Sequence, residues 1–351
     1  MLEIWLASVH VPNSTVACGQ AAEAEGLDGI SFGDTQNIAA DPFAGLCLAA
    51  TRTNQLGLMV GVTNPLTRVP AVTAAAIATV QAESGGRAVL GLGRGDSSLG
   101  HLGRGPASVE VTARFADQVQ AYLRGDAVEI DGHPSQIPWI ARLGQPKVPL
   151  DIAATGPRML ALGARIAERL TVNMGALPDR VAWALDIARK VRTEAGVIDD
   201  LSFGAYLVVA AHPDARIARD LARGPIAPYA HFSGMPGGPA TELNEQDRAV
   251  IEAVTADYGL SGHSTQHPTD PVRLGRQQPL HLKHLDDRFV DRFGVVGTPA
   301  HCVARLRELA DLGLDRVLLV EGRDPSTPEE QLRAHRTLVQ EVLPTLRQVT
   351  L

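Results

Sequence analysis

The sequence predicts an α/β fold, a (β/α)8 TIM barrel, because short apolar segments alternate with amphipathic segments and this pair repeats eight times. A continuous apolar segment of this kind is typical of a strand buried on both faces of a parallel sheet. The predicted strands, in chain order, are Leu2–Val9, Gly29–Phe32, Leu56–Val62, Ala88–Gly93, Leu150–Ala153, Leu170–Asn173, Ser202–Ala210 and Arg316–Val320.

Helices are predicted between these strands. Ser14–Glu25 carries small apolar residues at helical spacing and is followed by Gly26. A second helix is predicted over Pro70–Glu83, which is rich in alanine, and a third over Pro157–Glu168, which has proline in its first turn. A fourth is predicted over Val303–Leu312, which is followed by Gly313. Alternating strands and helices imply parallel strands with right-handed crossovers, and eight repeats favour a closed barrel over an open doubly wound sheet.

Two segments are too long for a single crossover helix. After the fourth strand, Pro106–Val148 predicts a helix followed by a short hairpin, and after the seventh strand residues 211–297 form a larger insertion. We expect residues 1–351 to form a single barrel domain, since barrels of this length with insertions are common. We expect both insertions near the catalytic mouth, because loops at that end of a barrel carry function.

Composition excludes several classes of protein. The formal net charge is −7 and no basic stripe is present, so nucleic acid is not an expected partner. No segment reaches the ~18 apolar residues of a membrane span, and the amino terminus does not resemble a signal peptide, so we expect a cytoplasmic protein. Cys18, Cys47 and Cys302 are far apart in sequence and are interpreted as reduced, packed thiols without metal spacing.

Residues at the carboxyl ends of barrel strands form the active sites of TIM-barrel enzymes. That rule nominates His10, Asp34, Thr63, Asn64, Arg94, Gly95, Asp96, Thr155, Gly156, Asn173, Met174, Gly175 and Glu321.

The segment Gly93-Arg94-Gly95-Asp96 follows the fourth strand. Its glycines let a ligand approach the backbone, Arg94 suits a phosphate or carboxylate, and Asp96 suits proton transfer. The spacing is not that of a dinucleotide-binding fingerprint. The alternative is a tight turn in which Asp96 only caps the next helix.

Two further strand ends have the composition of turns or of anion sites. Thr155-Gly156-Pro157 opens a helix, and its hydroxyl and backbone N–H groups suit an anion, although a simple helix cap has the same sequence. Thr63-Asn64-Pro65 marks an abrupt end of the third strand, because the residue before proline is restricted.

The histidines do not predict a metal site. His263 and His267, and likewise His281 and His284, have spacings that suit zinc on a helix, but neighbouring glycine and prolines favour loops. We interpret them as solvated or core histidines and expect no metal. A serine hydrolase is not favoured either, because no G-x-S-x-G elbow occurs.

These pieces in this order resemble the bacterial luciferase-like superfamily, and within it the coenzyme F420-dependent oxidoreductases such as methylene-tetrahydromethanopterin reductase. The resemblance is densest over Gly61–Pro70, Ser84–Arg87 and Gly93–Ser97, and it extends over most of the chain outside residues 211–297. It implies a barrel of the luciferase type that holds a flavin or deazaflavin at the mouth.

The resemblance also implies roles for individual residues. It implies a non-prolyl cis peptide at Gly61–Val62 beneath the cofactor ring, a ring contact from Asp34, and an acid at Asp96. Thr35 stands where the sugar-phosphate dehydrogenases have a catalytic histidine, which argues against their chemistry. The implied cofactor-binding residues are Asp34, Gly61, Val62, Thr63, Asn64, Gly93, Arg94, Gly95, Thr155, Gly156, Pro157, Asn173, Met174 and Gly175.

The function expected from the resemblance is hydride transfer between coenzyme F420 and a small organic substrate. Asp96 is the first candidate for proton transfer, with Asp34 or His10 assisting. Arg158 and Arg165 suit the acidic cofactor tail, and the alternative is that both are charges on a helix surface. The alternatives are an FMN-dependent monooxygenase that uses reduced flavin and oxygen, and a barrel without catalytic activity. The resemblance implies a homodimer.

Overall fold

The computed structural model describes residues 2–235, 243–258, 280–324 and 326–348. Its centre is a closed barrel of eight parallel strands, which confirms the predicted fold class. The barrel strands are β1 (Glu3–Ser8), β2 (Gly29–Phe32), β3 (Gly57–Thr63), β4 (Ala88–Leu92), β7 (Leu150–Ala154), β8 (Arg169–Val172), β9 (Ser202–Ala211) and β11 (Arg316–Glu321).

The strands pair in chain order around the barrel, and β11 pairs with both β9 and β1 to close it. Each predicted strand matches one of these. No predicted end differs from the observed one by more than one residue. The short strand β10 (Val295–Gly297) was not predicted. It pairs in parallel with the last three residues of β9, of which the last two lie beyond the pairing of β9 with β11.

Helices surround the barrel, as the alternating pattern predicts. Those between the first strands are α1 (Thr15–Ala24), α2 (Pro42–Ala50), α3 (Pro70–Ser84), α4 (Ser97–Gly100), α5 (Val109–Arg124), α6 (Pro138–Arg142), α7 (Pro157–Ile166) and α8 (Pro178–Glu194). The later ones are α9 (Ala215–Gly234), α10 (Glu245–Asp257), a 3-10 turn (Leu280–His284), α11 (Asp287–Phe293), α12 (Pro299–Asp311), α13 (Pro328–Thr337), a π segment (Leu338–Val342) and α14 (Leu343–Arg347).

Helix α12 begins four residues before the predicted start at Val303. Its first residue is Pro299, and Thr298 caps it by accepting a hydrogen bond from the backbone of His301. A hydroxyl residue followed by proline is a standard helix start, and the apolar pattern used for the prediction begins only in the next turn.

The hairpin predicted after the fourth strand is present as β5 (Val128–Ile130) and β6 (His133–Ser135). Its expected place near the mouth was wrong. The hairpin packs at the carboxyl end of α5, where Tyr122 donates a hydrogen bond to Ser135 Oγ at 2.8 Å. Because α5 runs back along the barrel from the mouth, its last turn lies beside the amino ends of the strands.

Residues 211–297 contribute α9, α10, α11 and β10 to the described structure. Helix α9 continues through Pro225 and Pro228, which sequence alone would take as helix breaks. Both prolines are buried, and the helix packs against α10 and α11 around a separate apolar cluster. His263 and His267, considered above as metal ligands, lie outside the described residues.

The barrel interior holds both apolar and charged side chains. Trp5, Met59, Val89, Tyr206 and Leu318 form a cluster inside the barrel, while a larger core lies between the strands and the surrounding helices. Within the described part of the chain, no helix has the length and apolar character needed to cross a membrane.

Candidate active site

A cavity of about 340 Å³ opens at the carboxyl ends of the barrel strands. Loops after nearly every strand contribute to it, together with one face of α9. The predicted site residues that line it are Asp34, Gly61, Val62, Gly93, Arg94, Gly95, Asp96, Thr155, Gly156, Asn173 and Glu321. The structure therefore brings together residues that are scattered along the sequence.

The peptide bond between Gly61 and Val62 is cis, as the resemblance implied. It lies at the end of β3, and both residues face the cavity. A side chain at residue 61 would overlap the hydroxyl oxygens of Ser31 and Tyr206. Only glycine fits at this position, because the backbone passes directly over these two groups.

Tyr206 was not predicted as a site residue, although it lies in a predicted strand. Its side chain is 6% exposed and contributes to the cavity from β9. Burial raises the pKa of its phenol, with a further increase from the Asp151 charge, and the nearby Ser31 hydroxyl only partly offsets this. The phenol therefore stays protonated and offers a hydrogen-bond donor at the base of the cavity.

Asp34 faces the cavity as part of a charged cluster. Thr63 donates a hydrogen bond to Asp34 Oδ2 at 2.7 Å, and Arg68 Nε donates to the same oxygen at 2.9 Å. Arg68 also pairs with Asp41 at 2.7 Å and lies over the ring of Phe43. Burial lowers the pKa of Arg68, but its hydrogen bonds to both carboxylates outweigh this and raise it.

His10, Thr63 and Asn64 do not line the cavity. The ring of His10 is 6% exposed, and its Nδ1 lies 2.6 Å from the carbonyl oxygen of Asp41. Asn64 is buried and donates a hydrogen bond to Ser98 Oγ at 3.0 Å, which ties the β3 end to α4. These residues support the walls of the cavity from behind.

The segment after β4 forms the turn that its glycines suggested. Gly95 adopts a φ of 75°, and Asp96 occupies the residue before α4 without a side-chain hydrogen bond to the first turn of that helix. Arg94 donates from Nε to the carbonyl oxygen of Ala107. Asp96 Oδ2 lies 3.6 Å from Nε2 of His231, a residue of α9 that the sequence did not nominate.

The ends of β7 and β8 meet at the start of α7. Thr155 donates a hydrogen bond to the Asn173 carbonyl oxygen at 3.2 Å, and Gly156 is the residue before the first turn of α7. The Asn173 side-chain oxygen is buried without a hydrogen-bond partner among the described residues. The amino end of a helix suits a bound anion, whereas the Asn173 oxygen is an acceptor and suits a ligand N–H or O–H donor.

The neighbours of this segment differ in their access to the cavity. Arg158 lines it, whereas Arg165 is exposed in the last turn of α7. Pro157 opens α7 without lining the cavity, and Met174 is fully buried. Gly175 has a positive φ and packs against the ring of Phe293.

Helix α9 supplies an apolar wall that faces the strand ends. The residues of this wall are Pro225, Pro228, Tyr229, Phe232 and Met235. The sequence contained a signal for it, since Pro228-Tyr229 and His231-Phe232 suggest either a lid or packing on the barrel. Sequence could not separate the two, because the choice depends on how α9 crosses the mouth.

The described residues contain no group of three or more histidine, cysteine, aspartate or glutamate side chains that could hold a metal ion. His281 is buried beside Tyr258, and His284 Nε2 lies 2.7 Å from Asp257 Oδ2. His281 and His284 therefore do not form a metal site together with a third histidine, cysteine, aspartate or glutamate of the described residues.

The sequence model of the family described as "Luciferase-like monooxygenase" matches residues 5–316. The chain belongs to this family. The match runs from the third residue of β1 to the first residue of β11, and it confirms the predicted superfamily as well as the fold.

Two curated luciferase-like relatives illustrate the similarity. A 5,10-methylenetetrahydromethanopterin reductase of Methanolobus tindarius is 27% identical over 308 residues, which cover 85% of this chain and 86% of that protein. An F420-dependent glucose-6-phosphate dehydrogenase of Microbacterium testaceum is 26% identical over 360 residues, which cover 96% of this chain and 94% of that protein.

A solved structure gives the same result for the fold. The coenzyme F420-dependent tetrahydromethanopterin reductase from Methanopyrus kandleri superimposes with a TM-score of 0.73 at 22% identity, and the match covers 99% of both chains. The luciferase-like barrel described above is therefore shared over essentially the full length of both proteins.

Proposed function

We propose that this protein is a coenzyme F420-dependent oxidoreductase that transfers a hydride between the deazaflavin and a small organic substrate. One observation carries the proposal: a single cavity joins the Gly61–Val62 backbone at the end of β3, the Asp96 carboxylate and the start of α7. The similarity to relatives named for F420 or for methylenetetrahydromethanopterin reduction supports the choice of cofactor and reaction class.

The residues of the cavity fit such a cofactor. The glycines of Gly61–Val62 and Gly93–Gly95 have no side chains that would fill the cavity, and this leaves room for a flat ring system. The start of α7 suits the phosphate, the open Asn173 oxygen suits an N–H or O–H donor of the cofactor, and Arg158 suits the acidic tail. When bound, the deazaflavin supplies the hydride donor or acceptor.

In this proposal the protein binds and orients the reactants and handles the proton. Asp34, fixed by Thr63 and Arg68, orients the ring from the β2 side. The apolar wall of α9 excludes water from the substrate. His10 helps to position this region through its contact with the Asp41 backbone, and its assistance in catalysis stays a prediction.

Asp96 is the proposed proton donor or acceptor. It faces the cavity from the β4 end, and its side chain is 25% exposed. A carboxylate with this access can exchange a proton with a substrate oxygen or nitrogen.

Cofactor titration tests the proposal most directly. Purified apoprotein is titrated with F420 and separately with FMN, and the quenching of cofactor fluorescence is followed. We expect F420 to bind at least tenfold more tightly than FMN, a difference of about 1.4 kcal/mol. Arg158→Ala should weaken F420 more than FMN, because only F420 carries the oligoglutamyl tail. Equal loss for both cofactors would place Arg158 at the phosphate instead.

A second candidate is an FMN-dependent monooxygenase. The family description favours it, since the matching sequence model is named for luciferase-like monooxygenases. Preference for FMN in the titration, followed by oxygen-dependent product formation with reduced FMN, would select this candidate over the first. The homodimer implied by the resemblance and the cytoplasmic location both stay predictions.

A further inference from the structure

The Asp96 carboxylate faces a histidine that comes from a distant part of the chain. Asp96 lies at the β4 end, whereas His231 lies in the last turn of α9, within the insertion after β9. Nε2 of His231 and Oδ2 of Asp96 are 3.6 Å apart, and the side chains are 17% and 25% exposed. At this separation a charged imidazole and a carboxylate attract each other, and partial burial limits screening by solvent.

His231 is held against aromatic neighbours. Its ring stacks on Tyr258, with ring centroids 4.3 Å apart and an interplanar angle of 13°. Tyr258 in turn contacts the ring of His281 at 4.9 Å. Burial raises the pKa of the Tyr258 phenol, and the charge of Asp96 raises it further. The stacking partner of His231 is therefore neutral at physiological pH.

We propose that His231 is a positioning residue for Asp96, and that the two side chains together carry the proton that accompanies hydride transfer. This inference rests on the proposed function. Asp96 lines the cavity and touches the substrate, whereas His231 lies behind it and acts through the carboxylate. Imidazole suits this role because it exchanges a proton within the physiological pH range.

The proposed step balances for an alcohol and carbonyl pair. On oxidation, the carbon-bound hydrogen leaves with two electrons as a hydride to the deazaflavin. The hydroxyl proton passes to a carboxylate oxygen of Asp96, so that the substrate becomes a carbonyl compound. His231 then takes this proton from Asp96 and releases it to solvent. Reduction of a carbonyl follows the same path in reverse.

Substitutions at His231 separate positioning from proton uptake. His231→Gln keeps an N–H donor near the same place but cannot take up a proton, whereas His231→Ala loses both properties. The assay measures oxidation of reduced F420 by cyclohexanone or cyclohex-2-enone as probes. We expect kcat to fall about 10- to 100-fold in His231→Ala with little change in KM, and less in His231→Gln.

The pH profile distinguishes this role from a purely structural one. The pH profile of kcat in His231→Gln should differ in shape from that of the wild type, because glutamine cannot exchange the proton. Asp96→Asn combined with His231→Ala should be no slower than Asp96→Asn alone, because both residues act through one carboxylate. His212→Gln is the matched control, since His212 pairs with Glu330 at 2.9 Å and does not line the cavity. Additive losses, or an unchanged pH profile in His231→Gln, would overturn the proposal.

A measurement that needs neither cofactor nor substrate separates this inference from the proposed function. In protein labelled with 15N-histidine, Asp96→Asn should shift the imidazole signals of His231, and Asp34→Asn should leave them in place. Unmoved signals disprove the pair even if F420 is turned over. Shifted signals in a protein that fails to bind F420 keep the pair and reject the F420 reaction. If F420 binds but neither probe is reduced, the NMR result decides on the pair.

Discussion

Asp34 and Asp96 both face the cavity, but their surroundings give them different roles. Asp34 is 6% exposed and accepts hydrogen bonds from Thr63 and Arg68, so its charge is neutralised by a fixed partner. Asp96 lies beside a histidine, which can give up or take up a proton. The ion pair with Arg68 therefore suits Asp34 to binding the cofactor and not to proton transfer.

This difference predicts opposite effects of two conservative substitutions. Asp34→Asn should weaken F420 binding about tenfold, the effect of losing one charged hydrogen bond, and leave the pH profile of hydride transfer unchanged. Asp96→Asn should keep the affinity within about twofold and reduce kcat by about 10²- to 10⁴-fold. Fluorescence titration gives the affinity, and steady-state kinetics gives kcat.

Asp41→Asn is the matched control for Asp34→Asn. It removes the other carboxylate partner of Arg68 without touching the cavity lining, and asparagine can still cap α2 in its place. F420 affinity should therefore stay near the wild-type value. A loss equal to that of Asp34→Asn would mean that the position of Arg68, and not Asp34 itself, determines cofactor binding.

The residues that sequence could nominate share one property. Asp34, Gly61 and Asp96 lie at the ends of strands, and the barrel rule sends all strand ends to one mouth. The strand-end rule did not nominate His231 or Tyr206, for two different reasons. His231 belongs to an insertion whose path across the mouth depends on tertiary packing. Tyr206 lies inside β9, and a continuous apolar strand gives no phase that separates the interior face from the exterior.

At the scale of elements, one histidine links α13 to the rest of the barrel. His335 Nδ1 lies 2.7 Å from Glu321 Oε1 at the end of β11, and its Nε2 lies 3.1 Å from Glu25 Oε1 after α1. The hydrogen bond from Glu321 and the charges of both carboxylates raise the pKa of His335 to about 9, although burial opposes this. The imidazole is therefore a cation at neutral pH.

The raised pKa of His335 predicts a pH-dependent contribution to stability. The contribution is fully present below pH 6.5, the ordinary value of the group, and is lost as the pH rises through about 9. The melting temperature of His335→Gln should therefore lie below that of the wild type at about pH 6, and the difference should disappear near pH 10. Thermal unfolding at a series of pH values measures it.

Cys18 provides the relevant check on this titration. Burial and the charge of Glu321 raise the pKa of its thiol, so Cys18 ionises at a higher pH than an exposed cysteine. Cys18→Ala should therefore leave the pH dependence intact. A pH dependence that persists in His335→Gln would assign it to another group.

Helix boundaries show where local sequence signals stop being sufficient. Proline in the first turn placed the starts of α3 and α7 correctly, because that signal is local. Helix α9 contains Pro225 and Pro228, which local rules exclude from a helix interior. Its packing against β9, β10, α10 and α11 compensates, and sequence alone does not reveal that packing.

At the scale of the whole molecule, the alternation of strand and helix was enough to predict the barrel. The periodicity does not show how the barrel closes, because pairing between β11 and β1 joins the two ends of the chain. Nor does it show that charged side chains fill part of the interior. Arg316 opens a predicted strand, and nothing in its neighbours along the chain indicates that its side chain is fully buried.

The buried ion pair of Arg316 and Asp151 connects four strands of the barrel. Arg316 on β11 donates to Asp151 Oδ2 on β7 at 2.9 Å, to Thr171 Oγ1 on β8 at 3.0 Å, and to Ser202 Oγ on β9. Both members of the pair are fully buried. Removing one member leaves an uncompensated charge, so Arg316→Met or Asp151→Leu should each lower the free energy of unfolding by about 3 to 5 kcal/mol.

The double variant distinguishes a specific pair from two separate contributions to packing. When Arg316→Met and Asp151→Leu are combined, neither charge is left without its partner, so the loss should be clearly smaller than the sum of the single losses. Arg169 limits the recovery, because its Nε lies 3.6 Å from Asp151 Oδ2 and loses that carboxylate too. Denaturant unfolding of the wild type, both single variants and the double variant completes the cycle. Strictly additive losses would show that the pair has no coupling energy.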